Sequence, residues 1–475
     1  LTGMKDLGGG GLSCVVGELA LDAGFGARVD LEKVLLKVDN MPPWEIWVSE
    51  SQERMMFTVE PKNVDKVLTI CKEWDVESVT IGEVISEKIN IVHYNGVEIL
   101  NLDLDFTTGG PVYKRPYNLP EYDTDKRKIQ PVYPTNFNDT INELLSKPEV
   151  ASKDWVIRQY DHEVRGKTVL KPIQGPIGKG VHGDSSVLKP VDNSWKGLAL
   201  TSDVNPYLME ANPYHGTMSA VEEVCRNLAS VGARIDSLAD CLCFGNPRKP
   251  DIMGQFKASC EALKDAAMAI DVPYVSGNVS LYNETAEGAI PPTPVLMGIG
   301  LVKDIRKCTT SDMKGKGSIW LVGETKEEMG ASLYYRNLEL ESGNVPITNF
   351  GEFVPRMEQL IQAIENGEVV ACHDISTGGL AISVIEMCMS GVGANIELTS
   401  DLRADIELFS ESNGRWVVQV ATGCENKFAN RFDHAKQIGN VSDEILFTKN
   451  GEIISKLDIE KSRKIWTDPI WNRLA

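Results

Sequence analysis

The sequence lacks any run of apolar residues long enough to cross a bilayer, so no membrane-spanning helix is expected. No secretory leader is read at its start. Basic residues are not in excess. Forty-eight Lys and Arg stand against 68 Asp and Glu, leaving a net charge of −20. That balance argues against nucleic acid and anionic membrane surfaces as partners. It leaves nucleotides open, because a dication and backbone N–H groups can hold phosphate on an acidic protein. The ten cysteines lack zinc-type spacing: only Cys241 and Cys243 are close, and no second pair matches them. All ten are read as reduced thiols of a cytosolic protein. A Walker A loop is missing too. Gly175-Pro176-Ile177-Gly178-Lys179-Gly180 has no Gly-Lys-Ser/Thr ending and is read as a flexible turn, so any use of ATP here does not run through a P-loop.

What is present is an ordinary globular composition, 42% hydrophobic and 24% charged over 475 residues, long enough for two to four domains. The chain also repeats itself. Asp6-Leu7-Gly8-Gly9-Gly10-Gly11-Leu12 returns as Asp374-Ile375-Ser376-Thr377-Gly378-Gly379-Leu380. Apolar residues follow both at helical spacing: Leu12, Val16, Leu19 and Ala20 in the first, Leu380, Val384, Met387 and Cys388 in the second. Glu18 and Glu386 match on those helices. Gly26–Leu31 pairs with Gly393–Leu398, Ser49-Glu50-Ser51 with Ser410-Glu411-Ser412, and Arg54 with Arg415. Three ordered matches indicate an internal duplication of very long period.

Domain boundaries follow from the repeat. Residues 1–108 are expected to form the first copy of an α/β domain, with a strand at Ile89–Tyr94. Residues 109–150, rich in Pro and Tyr, read as a linker with a short helix near Thr140–Leu145. Residues 151–306 are expected to form a strand-rich domain, with strands near Leu198–Ser202 and Val295–Val302 and a helix from about Ser219 to Val231. Residues 307–475 form the second α/β copy. The second copy has a strand-rich domain before it and the first does not, so a similar domain is expected upstream of Leu1.

Two places concentrate candidate chemistry. The glycines after Asp6 could let backbone N–H groups reach a phosphate at a helix N-terminus. The plainer reading is close packing with Asp6 as a helix N-cap, and the loop alone favours it. In the strand-rich domain, Asp240–Pro247 ends a strand, and Val275–Glu284 follows about 30 residues later. Oxygen-bearing side chains there suit a hard cation such as Mg²⁺, and Gly277 would let a ligand lie against the backbone. The alternative is a pair of Asx-type turns.

The segments Asp6–Leu12, Ser49–Arg54, Gly183–Leu188, Asp240–Pro247, Ser276–Glu284 and Phe409–Trp416 resemble, in order and spacing, the signature segments of phosphoribosylformylglycinamidine synthases. The resemblance covers essentially the whole chain. It implies an α/β (α+β) fold: a tandem of two modules, each a strand-rich ATP-binding-type domain followed by an α/β domain. The same module occurs in aminoimidazole ribonucleotide synthetase. The resemblance implies Asp6 and Asn278 as Mg²⁺ ligands and Asp240 and Gly277 as ATP contacts. It implies Glu50, Ser51, Gln52 and Ser280 as substrate contacts. The site would lie across the contact between the halves. No catalytic residue is expected in this chain, since the family's catalytic histidine lies upstream of Leu1, and the 475 residues alone are expected not to turn over. The six histidines here are read as surface or structural.

The activity implied is ATP- and Mg²⁺-dependent conversion of formylglycinamide ribonucleotide to formylglycinamidine ribonucleotide with glutamine-derived ammonia, a step of purine biosynthesis. Partners implied are a separate glutaminase subunit and a small accessory subunit. The second copy departs from the first, with Asn413-Gly414 where the first has Gln52-Glu53, and is expected to be a degenerate site, structural or holding an auxiliary nucleotide. Two other readings stand beside this one: another ATP-using enzyme of the same superfamily, against which the duplication counts, and a non-catalytic nucleotide-binding scaffold.

Overall fold

The computed structural model describes residues 1–110, 112–121, 131–134, 136–340 and 344–474. Residues 111, 122–130 and 135 of the expected linker lie outside them. The chain divides into two compact units, Leu1–Lys114 and Arg115–Ala475. No helix among the described residues is long and apolar enough to cross a membrane.

The first unit opens with strand β1 (Gly3–Asp6), a glycine turn and helix α1 (Gly11–Asp22). Leu12, Val15, Val16 and Ala20 lie on one face of α1 and are buried, the pattern expected of a helix that covers a sheet. Strand β2 (Gly26–Asp30), helix α2 (Pro43–Val48) and strands β3 (Met55–Thr58), β4 (Gly82–Ile85), β5 (Ile89–Tyr94) and β6 (Val97–Asp103) follow. They make two sheets: β1 with β3, and β4-β2-β5-β6.

The second unit contains a six-stranded sheet. Its strands are β7 (Thr168–Leu170), β8 (Ser186–Leu188), β9 (Gly197–Asp203), β10 (Arg234–Cys243), β11 (Tyr274–Ser280) and β12 (Thr293–Val302), in the order β11-β10-β12-β9-β8-β7. Helix α3 (Asn138–Leu145) precedes this sheet in the chain. Its Ile141, Leu144 and Leu145 are completely buried, so the stretch expected as a linker ends inside a hydrophobic core. Helix α4 (Pro213–Ser230) starts six residues before the expected Ser219. Asn212 caps it by accepting the N–H of His215, and Pro213 sits in its first turn, where a missing N–H costs nothing.

A seven-stranded sheet completes the unit: β13 (Ser318–Val322), β14 (Val369–Asp374), β15 (Gly393–Leu398), β16 (Trp416–Val420), β17 (Ala435–Ser442), β18 (Ile445–Lys449) and β19 (Glu452–Leu457). Their order is β14-β16-β13-β17-β15-β18-β19. Helix α5 (Phe350–Glu365) precedes β14, and helix α6 (Gly379–Cys388) follows it. Residues of α4 and β10 share one hydrophobic cluster with α5, β13 and β16, so the six- and seven-stranded parts are joined by a common core.

Candidate functional site

The two glycine loops share a set of matched hydrogen bonds. Each follows the last residue of a strand, Asp6 or Asp374. Each carries two glycines in the left-handed region, Gly10 and Gly11 at φ 70° and 57°, Gly378 and Gly379 at φ 84° and 68°. A Cβ on Gly11 would meet the carbonyl oxygen of Ser49 at 2.1 Å, and one on Gly379 that of Ser410 at 2.7 Å, so side chains are excluded at both. The Gly10 N–H donates to Glu50 Oε1 at 2.7 Å, and the Gly378 N–H to Glu411 Oε1 at 2.8 Å. Leu7 N–H donates to the Arg54 carbonyl and Ile375 N–H to that of Arg415, both at 3.1 Å. Ser49 and Ser51 hydroxyls lie 2.9 Å apart, as do those of Ser410 and Ser412. Arg54 Nε reaches the Ser51 carbonyl at 2.9 Å and Arg415 Nε that of Ser412 at 2.8 Å. Even the ion pairs behind the loops correspond, Lys5 with Glu18 and His373 with Glu386.

The loops differ in what reaches them. In the first, Asp6, Gly8 and Gly9 are exposed. Asp6 does not cap α1, contrary to the plainer sequence reading. The N-cap is Gly10, with no side-chain bond, and Asp6 Oδ1 accepts the Gly8 N–H at 2.9 Å instead. Glu50 fixes the loop by accepting the Gly10 N–H, and Gln52 Nε2 donates to the Glu50 carbonyl at 2.9 Å.

In the second copy Asp374 is buried. Its Oδ2 accepts from Arg226 Nε of α4 at 3.1 Å. Arg226, itself 1% exposed, also pairs with Glu222 and lies 3.6 Å from Glu223. His373 Nδ1 lies 2.6 Å from Asp184 Oδ1, and the Asp374 N–H donates to Asp184 Oδ2 at 3.1 Å. Asp184, His373 and Asp374 bring ligand-type atoms within 4.8 Å of one another. Arg226, the His373 ring and a backbone N–H already engage these carboxylates, which makes the cluster a closed ionic network. Asn413, the counterpart of Gln52, donates to Ser219 and to Thr348, both at 2.8 Å. The cavity left between Asn205, Ser219, Arg226, Thr377, Glu411 and Asn413 is about 10 Å³, the room of a single water.

Burial dominates the electrostatics of this network. It pushes the Asp374 carboxyl up to about 6 against the pull of Arg226, and Glu222 up to about 7 against the same cation. Burial opposes charge on His373, yet Asp184 and Glu386 hold its pKa well above the usual histidine range. Burial likewise takes His182 down to about 4. Glu411 rises to about 7 through desolvation, although the N–H groups of Gly378 and Leu333 both donate to it.

Glu411 therefore gives a pH test. Unfolded, it ionises near its ordinary value; folded, near 7. Its contribution to stability is present below the first pKa and falls away as pH rises to the second. Glu411→Gln keeps an oxygen for both N–H donors and removes the ionisation. The variant is expected to match the parent in denaturant titrations at pH 4 and to gain on it progressively up to pH 8. A difference independent of pH would contradict the assignment.

The remaining candidates sit on two parallel strands of the six-stranded sheet. Asp240 on β10 stands beside Gly277 on β11, and Cys241 beside Asn278. A Cβ on Gly277 would meet Asp240 Oδ2 at 2.9 Å, so the glycine makes room for the carboxylate. Burial raises the Asp240 pKa. Asn278 is exposed and its Nδ2 lies 3.4 Å from Cys241 Sγ. Ser280 is engaged locally: its hydroxyl lies 3.2 Å from Asn283 Oδ1, while Asn283 Nδ2 donates to the Phe244 and Ser280 carbonyls. Asn246 Oδ1 accepts from the Arg248 N–H at 3.0 Å, the Asx turn foreseen as the alternative. All ten cysteines are free thiols.

Arg226, Glu222 and Asp184 carry the second-copy network and were not expected in it. The spacing of Glu222 and Arg226 suggests an ordinary helix pair. Nothing local reveals that Asp374, 148 residues away, is the third member.

Together the fold and the paired loops define a protein that uses one α/β domain twice, the second copy fused to a six-stranded domain. The chain belongs to the AIR synthase related family. The family's C-terminal domain matches both residues 1–95 and residues 318–447, and its N-terminal domain matches residues 182–302. Among curated relatives, the phosphoribosylformylglycinamidine synthase subunit PurL of Thermococcus sibiricus is 41% identical over 468 residues, 95% of this chain. That of Thermoplasma acidophilum is 36% identical over 470 residues, 98% of this chain. The chain spans 62% and 61% of their respective lengths. The solved PurL of T. maritima complexed with AMPPCP is 25% identical, with a TM-score of 0.67, covering 93% of this chain and 64% of that one. The same protein has been solved with ATP and with FGAR.

Proposed function

We propose that this chain serves the ATP-dependent conversion of formylglycinamide ribonucleotide to formylglycinamidine ribonucleotide, in the cytoplasm, with ammonia drawn from glutamine by a separate glutaminase subunit and with a small accessory subunit. The observation that carries the reading is identity of 36–41% along 95–98% of the chain to proteins of that name. An amide oxygen is a poor leaving group. Transfer of the ATP γ-phosphoryl to it makes a better one, which ammonia displaces as phosphate, leaving the amidine. The protein's part is to orient amide and phosphate and to exclude water.

The assigned residues fit these tasks. Asp6 is exposed and commits one carboxylate oxygen to Gly8, while Asn278 is exposed and its one side-chain hydrogen bond among the described residues uses the amide nitrogen. Each has oxygen to offer a hard cation, and both are proposed as Mg²⁺ ligands. Mg²⁺, when bound, supplies neutralisation of phosphate charge. Asp240 and Gly277 are proposed to contact ATP. Glu50 shapes the glycine loop, and it is proposed to contact substrate with Ser51, Gln52 and Ser280. The test, made on the complete protein that carries this chain, is release of phosphate from ATP that requires both formylglycinamide ribonucleotide and ammonia, assayed with the glutaminase and accessory subunits absent and then present. ATP binding without any such release, in either arm, would favour a nucleotide-binding scaffold.

A further inference from the structure

β10 is bonded on both sides, to β11 and to β12. Side chains alternate along such a strand. Leu238 and Leu242 are buried in the cluster shared with α4. Cys241 and Cys243 therefore stand together on the opposite face, both half-buried. Their sulfurs lie 3.8 Å apart. β11 adds a third polar group beside them. Asn278 is the register partner of Cys241, and its Nδ2 lies 3.4 Å from Cys241 Sγ. Among the described residues no hydrogen bond engages the Asn278 side-chain oxygen.

A close pair of thiols can be joined by a disulfide or by a metal ion, and the backbone decides between them. Residues two apart on a strand have Cα atoms about 6.6 Å apart, the upper end of what a disulfide spans. Their Cβ atoms stay about as far apart, where a disulfide needs roughly 3.5–4.5 Å. Ladder bonds on both sides keep β10 from buckling to close that gap. A metal ion bridges the sulfurs with the strand left straight. Two bonds of about 2.3 Å at the tetrahedral angle hold thiolate sulfurs about 3.8 Å apart, the spacing found here. With a metal–oxygen bond of about 2.1 Å, sulfur and oxygen come about 3.6 Å apart. Turning the Asn278 amide over brings its oxygen to the nitrogen's present place, 3.4 Å from Cys241 Sγ.

We infer that Cys241, Cys243 and Asn278 form a binding site for a thiophilic divalent cation of the Zn²⁺ kind, with water in its fourth position. The ion binds both sulfurs as thiolates and releases their protons to solvent. Mg²⁺, a hard cation, is a poor competitor for sulfur. The Cys-x-Cys spacing shows only part of this ligand set, because the remaining protein ligand comes from the neighbouring strand. Zn²⁺ held here takes the Asn278 oxygen proposed above for Mg²⁺ and so stops ATP use. That consequence, unlike the binding itself, rests on the proposed function.

Co²⁺, a coloured substitute for Zn²⁺, is titrated into the complete protein that carries this chain, with no nucleotide present. A thiolate-to-cobalt charge-transfer band is expected, with the strong visible absorption of tetrahedral Co²⁺, and Zn²⁺ is expected to bleach both. Cys241→Ser and Cys243→Ser are each expected to raise the Co²⁺ concentration for half-saturation at least about tenfold. Cys14→Ser, which removes an exposed thiol, is expected to leave it unchanged. X-ray absorption at the zinc edge of the unmutated protein, loaded with one equivalent of Zn²⁺, needs no variant: two sulfur neighbours at about 2.3 Å are expected. Absence of the charge-transfer band, a band that survives either Cys241→Ser or Cys243→Ser, or zinc with fewer or more than two sulfurs would overturn the site. Zn²⁺ bound as expected with ATP use intact would uphold the site and count instead against Asn278 as a Mg²⁺ ligand.

Discussion

Replacing Arg226 by Met is expected to destabilise the second unit by about 3–5 kcal/mol, because it removes the guanidinium that a buried set of carboxylates shares. Arg226 is 1% exposed and is shared by Asp374, Glu222 and Glu223. Methionine fills most of the volume, so lost packing is a minor part of the effect. What remains is Asp374 and Glu222, both buried and each without the guanidinium that it bonds. Adding Glu222→Gln and Asp374→Asn should recover part of the loss, since these changes remove the charges left unpaired. Denaturant titration of the single and triple variants checks this. A single-variant loss under about 1 kcal/mol would place Arg226 among ordinary surface ion pairs and undo the closed-network reading.

In the complete protein, Asp6→Ala and Asn278→Ala are each expected to weaken Mg²⁺-dependent ATP use by at least about tenfold, the scale on which metal sites respond to loss of a supporting group. The Mg²⁺ requirement should move to higher concentration in both variants. Gln52→Ala should leave the Mg²⁺ curve in place and weaken formylglycinamide ribonucleotide instead, by about 0.5–1.5 kcal/mol for one neutral hydrogen bond. Glu411→Ala, at the second-copy counterpart of Glu50, should hardly alter turnover. If Asp6 merely tightens the turn through its bond to Gly8, its loss costs stability alone. Superimposable Mg²⁺ curves for the parent and both variants would then remove Asp6 and Asn278 from the ligand set.

The duplication was legible because its determinants are local. Aspartate at a strand end, two glycines that must adopt positive φ and a Ser-Glu-Ser turn are read directly from residue types. The structure returns them as matched hydrogen bonds at Gly10 and Gly378. Strands were legible where apolar residues run on, as at Ile89–Tyr94. The start of α4 was missed because Asn212-Pro213 initiates the helix through its cap and its fixed φ, ahead of the first apolar stripe. Asp6 does not act as the helix N-cap because Leu7 and three glycines separate it from the first residue of α1, and the nearer Gly8 N–H captures its carboxylate. The Arg226 network was out of reach altogether. It joins α4 to β14 across 148 residues, and nothing in the spacing of either segment announces the other.

The central claim is that one loop architecture serves two ends, open to ligand after Asp6 and filled from within after Asp374. Amide hydrogen exchange of the two loops, followed in one experiment with and without Mg²⁺, ATP and formylglycinamide ribonucleotide, tests it most directly. Residues 7–12 are expected to exchange quickly alone and slow on addition of the ligands, while residues 375–380 are slow from the outset and do not respond. Ligand-dependent slowing at 375–380, or none at 7–12, would contradict it.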